Sequence, residues 1–352
     1  MTTVYLCMEV AGCPTVCRHC WAQGVPYGAM PLPDIVWALE GAHRFCDDHG
    51  LGFDAYPMHE MASHPDAARL FRLFNEHSPG PATVFEPLAT TGVPLATRED
   101  WRDVLRSAAD TGTVNLWLAF HGAGEAHDRQ VNRRGAFAET CLAAERIREA
   151  GLSVGCNVFV TTASLPRLDE LIATLRRLPI DADVWWGVAS FLPTARSRHN
   201  ERVGPTLPDL LPVADRIGEL TTPAGRAWWA DLEAHTEAAY VRRAVAGEWP
   251  AARVDPTADE LALVCRPNLD VHAGLAGRYG ERYGNLRTDG VEAVLGRAIA
   301  AGRRPDEALW FGDPLPPALE LAARHGDPAG LRVHPGEQSV RYLWGDRKAR
   351  LT

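Results

Sequence analysis

Thr3-Val4-Tyr5-Leu6-Cys7-Met8-Glu9-Val10 leads through Ala11-Gly12 into Cys13-Pro14-Thr15-Val16-Cys17-Arg18-His19-Cys20. The first eight of these residues are mostly apolar and rich in strand formers, so they read as a buried strand. Gly12 and Pro14 then turn the chain into a loop. A C-x3-C-x2-C set therefore sits immediately after a strand. Three thiolates this close together can hold three irons of a [4Fe–4S] cluster and leave the fourth iron open to a small molecule. A zinc site completed by His19 or Cys7 is the competing reading. Zinc sites usually pair two short ligand halves, and this sequence has no second half. His19, between two ligands, is expected to point away.

Outward from the loop, strand-like and helix-like segments alternate. Strands are expected over 51–56, 83–89, 114–120, 152–161 and 182–190. Helices are expected over 34–49, 65–77, 98–110, 136–150 and 165–178, the fourth stopped by Gly151. Six strand–helix repeats within the first 200 residues predict an α/β fold, a partial (β/α)6 TIM-type barrel. After Ser190 the pattern changes. Residues 207–246 look helical with a break at Thr222-Pro223, and 264–295 are glycine-rich, with a helix over 290–301. The expected division is a core at 1–200 and a smaller α+β extension at 201–352.

Composition removes several chemistries. The net charge is −9, which argues against a nucleic-acid partner. Lys348 is the single lysine among 36 basic residues. A Schiff-base lysine and a Walker A loop are thereby excluded. The N-terminus lacks a signal-peptide pattern, and no apolar run is long enough to span a membrane. The expectation is a cytoplasmic protein, where clustered cysteines serve metals or catalysis rather than disulfides.

At this point the sequence resembles the radical S-adenosylmethionine (radical SAM) superfamily, whose signature is C-x3-C-x-φ-C after the first strand. His19 fills the usually aromatic φ position. Pro57-Met58-His59-Glu60 stands where the family carries Gly-Gly-Glu, with the acid kept and both glycines lost. Thr90-Thr91-Gly92 is similar to the family's Thr-Asn-Gly. Ala119-Phe120-His121-Gly122 is similar to its Ser-Leu-x-Gly. His127-Asp128 and Arg134-Gly135-Ala136-Phe137 are similar to the family's next segment. Phe191-Leu192-Pro193-Thr194-Ala195-Arg196 resembles a loop near SAM. The likeness covers residues 3–200 in order.

The resemblance implies that Cys13, Cys17 and Cys20 hold the cluster and that SAM chelates the open iron. One electron then splits SAM into methionine and a 5′-deoxyadenosyl radical, which abstracts hydrogen from a C–H bond. It implies Glu60 as the partner of the SAM ammonium and Thr91 and Asn157 as further SAM contacts. Arg134 and Arg196 are candidates for the SAM carboxylate, and His59 and His121 for SAM or substrate. It implies a flavodoxin- or ferredoxin-type electron donor and a small-molecule or peptide substrate. Val264-Cys265-Arg266-Pro267 with Tyr283-Gly284-Asn285-Leu286 is similar to the SPASM or twitch extension. The later cysteines of that extension are missing, so no auxiliary cluster is expected, and Cys265 becomes a candidate hydrogen donor, as in epimerases. A peptide-crosslinking enzyme and a non-catalytic iron–sulfur or zinc protein are the alternatives. Trp117, Trp185 and Trp186 read as barrel packing.

Overall fold

The computed structural model describes residues 2–20, 24, 26–78, 88–181, 184–188, 196, 198–248, 260–274, 280–301 and 317–351. Strand β1 (Thr3–Ala11) sends Val4, Leu6, Met8 and Val10 into the core shared with Ile35, Leu39 and Ala42 of helix α1 (Leu32–Asp48). Strand β2 (Gly52–His59) runs parallel to β1, with Leu6 opposite Ala55 and Cys7 opposite Tyr56. Helix α2 (Ala67–His77), strand β3 (Leu88–Thr90) and helices α3 (Val93–Thr97) and α4 (Trp101–Asp110) come next along the chain. After them stand β4 (Asn115–Phe120), α5 (Glu125–Val131), α6 (Ala136–Glu149), β5 (Ser153–Val160), α7 (Leu168–Arg177) and β6 (Val184–Val188).

Strands β3–β4–β5–β6 form one parallel sheet in that order. The six parallel strands are those the alternation predicts, in a partial barrel. Among the described residues β2 and β3 are not paired, so the barrel is not closed. The expected third strand falls largely on 83–87, outside the described residues, as do 182, 183, 189 and 190 of the sixth.

The helix expected over 98–110 is two helices, because Arg98 is extended between them. Its guanidinium donates to the Ala62 carbonyl at 2.6 Å and to both Asp100 oxygens. Helix α5 has no counterpart among the expected elements. It is short and ends on Asn132 in the left-handed region, a conformation asparagine tolerates.

On the inner face of β4–β6 the sequence uses strand glycines to seat indoles. A Cβ on Gly155 would lie 2.5 Å from Trp117 Nε1, and one on Gly187 would strike the Trp185 ring. The packing role expected for Trp117 and Trp185 has this physical basis.

After β6 comes α8 (Arg198–Val203). Four helices then occupy the stretch expected to be helical: α9 (Leu207–Leu210), α10 (Ala214–Gly218), α11 (Pro223–Ala230) and α12 (Glu237–Val245). Thr222 and Thr236 cap the last two through their hydroxyls. Strand β7 (Glu260–Cys265) is parallel to β1, with Met8 opposite Cys265. Strands β8 (Asp270–Ala273) and β9 (Arg282–Asn285) extend this sheet antiparallel, giving the order β2-β1-β7-β8-β9. Core and extension therefore share one sheet.

Helices Ala318–His325 and Glu337–Leu351 close a second apolar cluster around Tyr240, Leu321, Leu343 and Trp344. Glu237 is buried there. It accepts from Arg347 at 2.6 Å, from Trp344 Nε1 at 2.9 Å and from the Asp327 amide at 2.9 Å. Arg347 and Arg350 also reach Glu201, and Arg198 pairs with Asp346. The C-terminal helix is thus bolted to α8. Removing one partner leaves the other charge buried. Glu237→Ala is expected to cost about 3–5 kcal/mol in a urea melt.

Candidate active site

The cysteine loop leaves the C-terminal end of β1 and lies on the last turn of α5. The Val16 amide donates to the Val131 carbonyl at 3.2 Å and the Arg18 amide to the Gln130 carbonyl at 2.9 Å. Cys13, Cys17 and Cys20 are free and half-buried. The buried Thr15 hydroxyl sits 3.1 Å from Cys13 Sγ and 3.2 Å from Cys17 Sγ. All three cysteines line one cavity of about 200 Å³, together with Glu60, Thr91, His19 and His121.

Burial pushes the Cys13 thiol up to about 11 and that of Cys17 to about 12. Thiols held this way become thiolates readily only beside a cation. Three such sulfurs around one cavity are a donor set that fits an iron–sulfur cluster with one iron left without a protein ligand.

Glu60 stands just after β2 and is buried. Its carboxylate accepts from Thr90 Oγ1 at 2.8 Å, from the Thr91 amide at 2.7 Å and from Thr91 Oγ1 at 2.8 Å. Burial raises its affinity for a proton, and these three hydrogen bonds work against that rise. The result is a fixed anionic group on the cavity wall, suited to an ammonium. Thr91, expected as a ligand contact, here orients Glu60. Thr90 has the same task, although in the sequence it reads as a turn residue. Gly92 carries φ of 78°, and a Cβ there would lie 2.9 Å from that of Ala143, so only glycine lets this turn close on α6.

The opposite part of the cavity is aromatic. His19 does not point away from the loop; it lines the cavity, with its ring 4.1 Å from His121 between centroids. His121 lies flat on Phe159 at 5.0 Å. His127, the third imidazole, accepts the His121 amide on Nδ1 at 3.2 Å. Burial holds His19 down at about 3, His127 at about 4 and His121 well below the ordinary histidine range. The wall is therefore neutral at pH 7. His121 Nδ1 is buried with no hydrogen-bond partner among the described residues, a polar atom offered to whatever fills the cavity.

Two amides grip His19. Gln130 Nε2 lies 3.2 Å from its Nδ1, and Asn200 Nδ2 donates to its carbonyl at 3.4 Å. Asn200 sits on α8, the helix bolted to the C-terminal helix. Asn200→Ala is expected to free the loop. In the iron-free chain, alkylation of Cys17 and Cys20 by iodoacetamide should accelerate about fivefold, the equivalent of one lost hydrogen bond of about 1 kcal/mol. Peptide mass spectrometry reads it.

The other expected residues fall elsewhere. Arg196 is half-buried and donates to the Gly24 carbonyl at 2.8 Å, with its charge close to Cys17 and His19. Arg134 is exposed on the turn before α6 and is not among the cavity-lining residues. Asp128, on the same stretch, caps α6 by accepting from the Gly135 and Phe137 amides. Asn157 is half-buried on β5, in register with Ala119 and Trp185, two residues before the cavity-lining Phe159. His59 ends β2, and its side chain lies outside the described residues. Cys265 is fully buried in the core, in register with Met8. It is not among the cavity-lining residues, and its thiol meets the Arg266 carbonyl at 3.8 Å. Its candidacy as hydrogen donor to a substrate in the cavity finds no geometric support.

No family model and no curated protein matches this sequence. Solved structures do. The structure of anSMEcpe with bound AdoMet and Cp18Cys peptide is similar at a TM-score of 0.50 and 12% identity, covering 99% of this chain and 98% of that one. The fold is that of the radical SAM enzymes. SuiB of Streptococcus suis, bound to its precursor peptide SuiA, gives a TM-score of 0.46 at 15% identity and covers 76% of this chain. The chain spans 58% of SuiB's length. In the radical SAM fold found here, the cysteine loop, Glu60, Thr91 and His121 all stand at or just beyond the C-terminal ends of parallel strands, the face where barrel sites are built.

Proposed function

We propose that this chain is a radical SAM enzyme that abstracts hydrogen from a peptide or peptide-like small molecule. The observation that carries the reading is the convergence of Cys13, Cys17 and Cys20 with the buried carboxylate of Glu60 on one cavity. Cys13, Cys17 and Cys20 would hold a [4Fe–4S] cluster. Bound with S-adenosylmethionine, that group supplies one-electron cleavage of the sulfonium and a 5′-deoxyadenosyl radical.

The protein's own work is to bind and to exclude. Glu60, fixed by Thr90 and Thr91, takes the ammonium of SAM. His121 offers its ring nitrogens to the nucleoside part. Phe159 and the neutral imidazoles keep that wall dry, which protects a radical from water. Arg196 adds a positive charge beside the loop. Residues 201–352 serve as the extension that walls the barrel, without a second cluster. A flavodoxin- or ferredoxin-type protein in the cytoplasm supplies the electron.

A peptide substrate is favoured because anSMEcpe, the neighbour at a TM-score of 0.50, was solved with the Cp18Cys peptide. Whether the product is an epimer or a crosslink depends on what returns hydrogen to the substrate radical. Anaerobic reconstitution and then dithionite reduction test the reading. The expected result is an EPR signal that SAM perturbs and release of 5′-deoxyadenosine. A zinc-loaded or SAM-indifferent protein would refute it.

A further inference from the structure

Around the cysteine loop the charge of the surface opposes that of the chain. The whole molecule carries −9, yet Arg18, the segment 125–134, Arg196 and α8 together hold seven arginines against three carboxylates. All three acids are engaged. Asp128 caps α6, Glu125 meets Arg129 at 3.5 Å, and Glu201 is held by Arg347 and Arg350. The fold puts these segments together. The Arg18 amide bonds to the last turn of α5, and Asn200 of α8 bonds to His19. Arg18 and Arg202 both act on His199, so their charges lie side by side. Arg18 and Arg202 have no ion pair among the described residues. The undescribed neighbours 21–23, 25, 189–195 and 197 contain no acidic residue.

We propose that this arginine collar is the docking surface for an acidic one-electron carrier protein, of the flavodoxin class, that reduces the group held by the three cysteines. The inference rests on the radical SAM reading. Its chemistry is a bare electron transfer. The flavin hydroquinone becomes the semiquinone as the cluster passes from its 2+ to its 1+ state, and no bond forms. An arginine between two ligand cysteines puts the attracting charge on the shortest path to the acceptor. Opposite fields of this kind raise association rates about 10- to 1,000-fold at low salt. A polyanion such as RNA would also feel the collar, but the acidic remainder of the chain opposes a long one.

The test pairs two readouts. First, oxidised flavodoxin is titrated onto the iron-free and the reconstituted chain at low and high salt, and binding is read by anisotropy. Second, bleaching of the cluster chromophore is timed with flavodoxin hydroquinone or with dithionite. The double variant Arg18→Glu/Arg202→Glu is compared with wild type, and Arg129→Glu/Arg202→Glu repeats the test without touching the loop. The expected result is binding that weakens with salt in wild type. In both variants, bleaching by flavodoxin should slow about tenfold or more, with dithionite rates unchanged. Equal flavodoxin rates in wild type and variants would overturn the proposal, as would RNA binding the collar while flavodoxin does not. Loss of 5′-deoxyadenosine release with flavodoxin docking intact would instead sink the radical SAM reading alone.

Discussion

A colourless, iron-free protein is the expected product of anaerobic reconstitution of the Cys17→Ala variant. Wild type should take up about four irons per chain. The variant should retain less than about one, with 5′-deoxyadenosine release below detection, because no other thiol can stand in. Cys7, Cys46, Cys156 and Cys265 are buried within strands and helices, where their thiols are held protonated by burial. Cys141→Ala is the control. That residue is half-buried on α6, outside the cavity lining, and its loss should leave the iron content unchanged. Far-ultraviolet circular dichroism should be the same for both variants, since Cys17 packs against the small cluster of Val93, Val131 and Ala136. Full iron uptake by Cys17→Ala would remove the basis of the proposed function.

Glu60→Gln should weaken SAM binding by about 10- to 150-fold while leaving iron content intact, the loss of an interaction of about 1.5–3 kcal/mol. The substitution keeps the shape but removes the charge that faces an ammonium. It also turns an amide NH2 toward Thr90, Thr91 or the cavity in place of an acceptor. Isothermal titration of the reconstituted protein with SAM measures it, and an unchanged affinity would remove Glu60 from the site. The wild-type pH dependence comes from the same group. Burial raises the proton affinity of Glu60, and only the ionised form holds a cation, so SAM binding is lost as pH falls through that raised value. Folding responds in the opposite sense to this one group. The folded chain takes the proton more readily than the unfolded chain, so acidification relieves a penalty there. His127 and His334 pull the other way. Their folded values lie at about 4 and 3, below the ordinary 6.5, so the unfolded chain binds protons that the folded chain refuses. Their contribution to stability therefore falls as pH drops below about 6.5.

The cysteine spacing and the alternation of strands and helices foretell the parallel strands and the position of the loop, because both are local patterns. Glu60 is visible for the same reason, as an acid at a strand end. Its clamp is not: Thr90 and Thr91 meet it across 30 and 31 residues, a contact that no period of the sequence encodes. His19 turns inward against expectation because ligand spacing alone says nothing of Gln130 and Asn200, which hold it from 111 and 181 residues away. Cys265 looks reactive in the sequence only by being the single cysteine after residue 200. Register with Met8 places it in the core. Helix α5 is too short to show a clear period, although the loop rests on it.

Strand β7 gives the extension a duty unrelated to substrate. The first strand of a half-open barrel would otherwise leave a row of backbone donors and acceptors bare, a template on which a second molecule can add a strand. Glu260–Cys265 occupies that row from Thr3 to Met8. A chain ended near residue 200 would keep every cluster ligand and yet be prone to polymerise edge to edge. The far third of the sequence thus guards the thiol-bearing third at its other end against self-association.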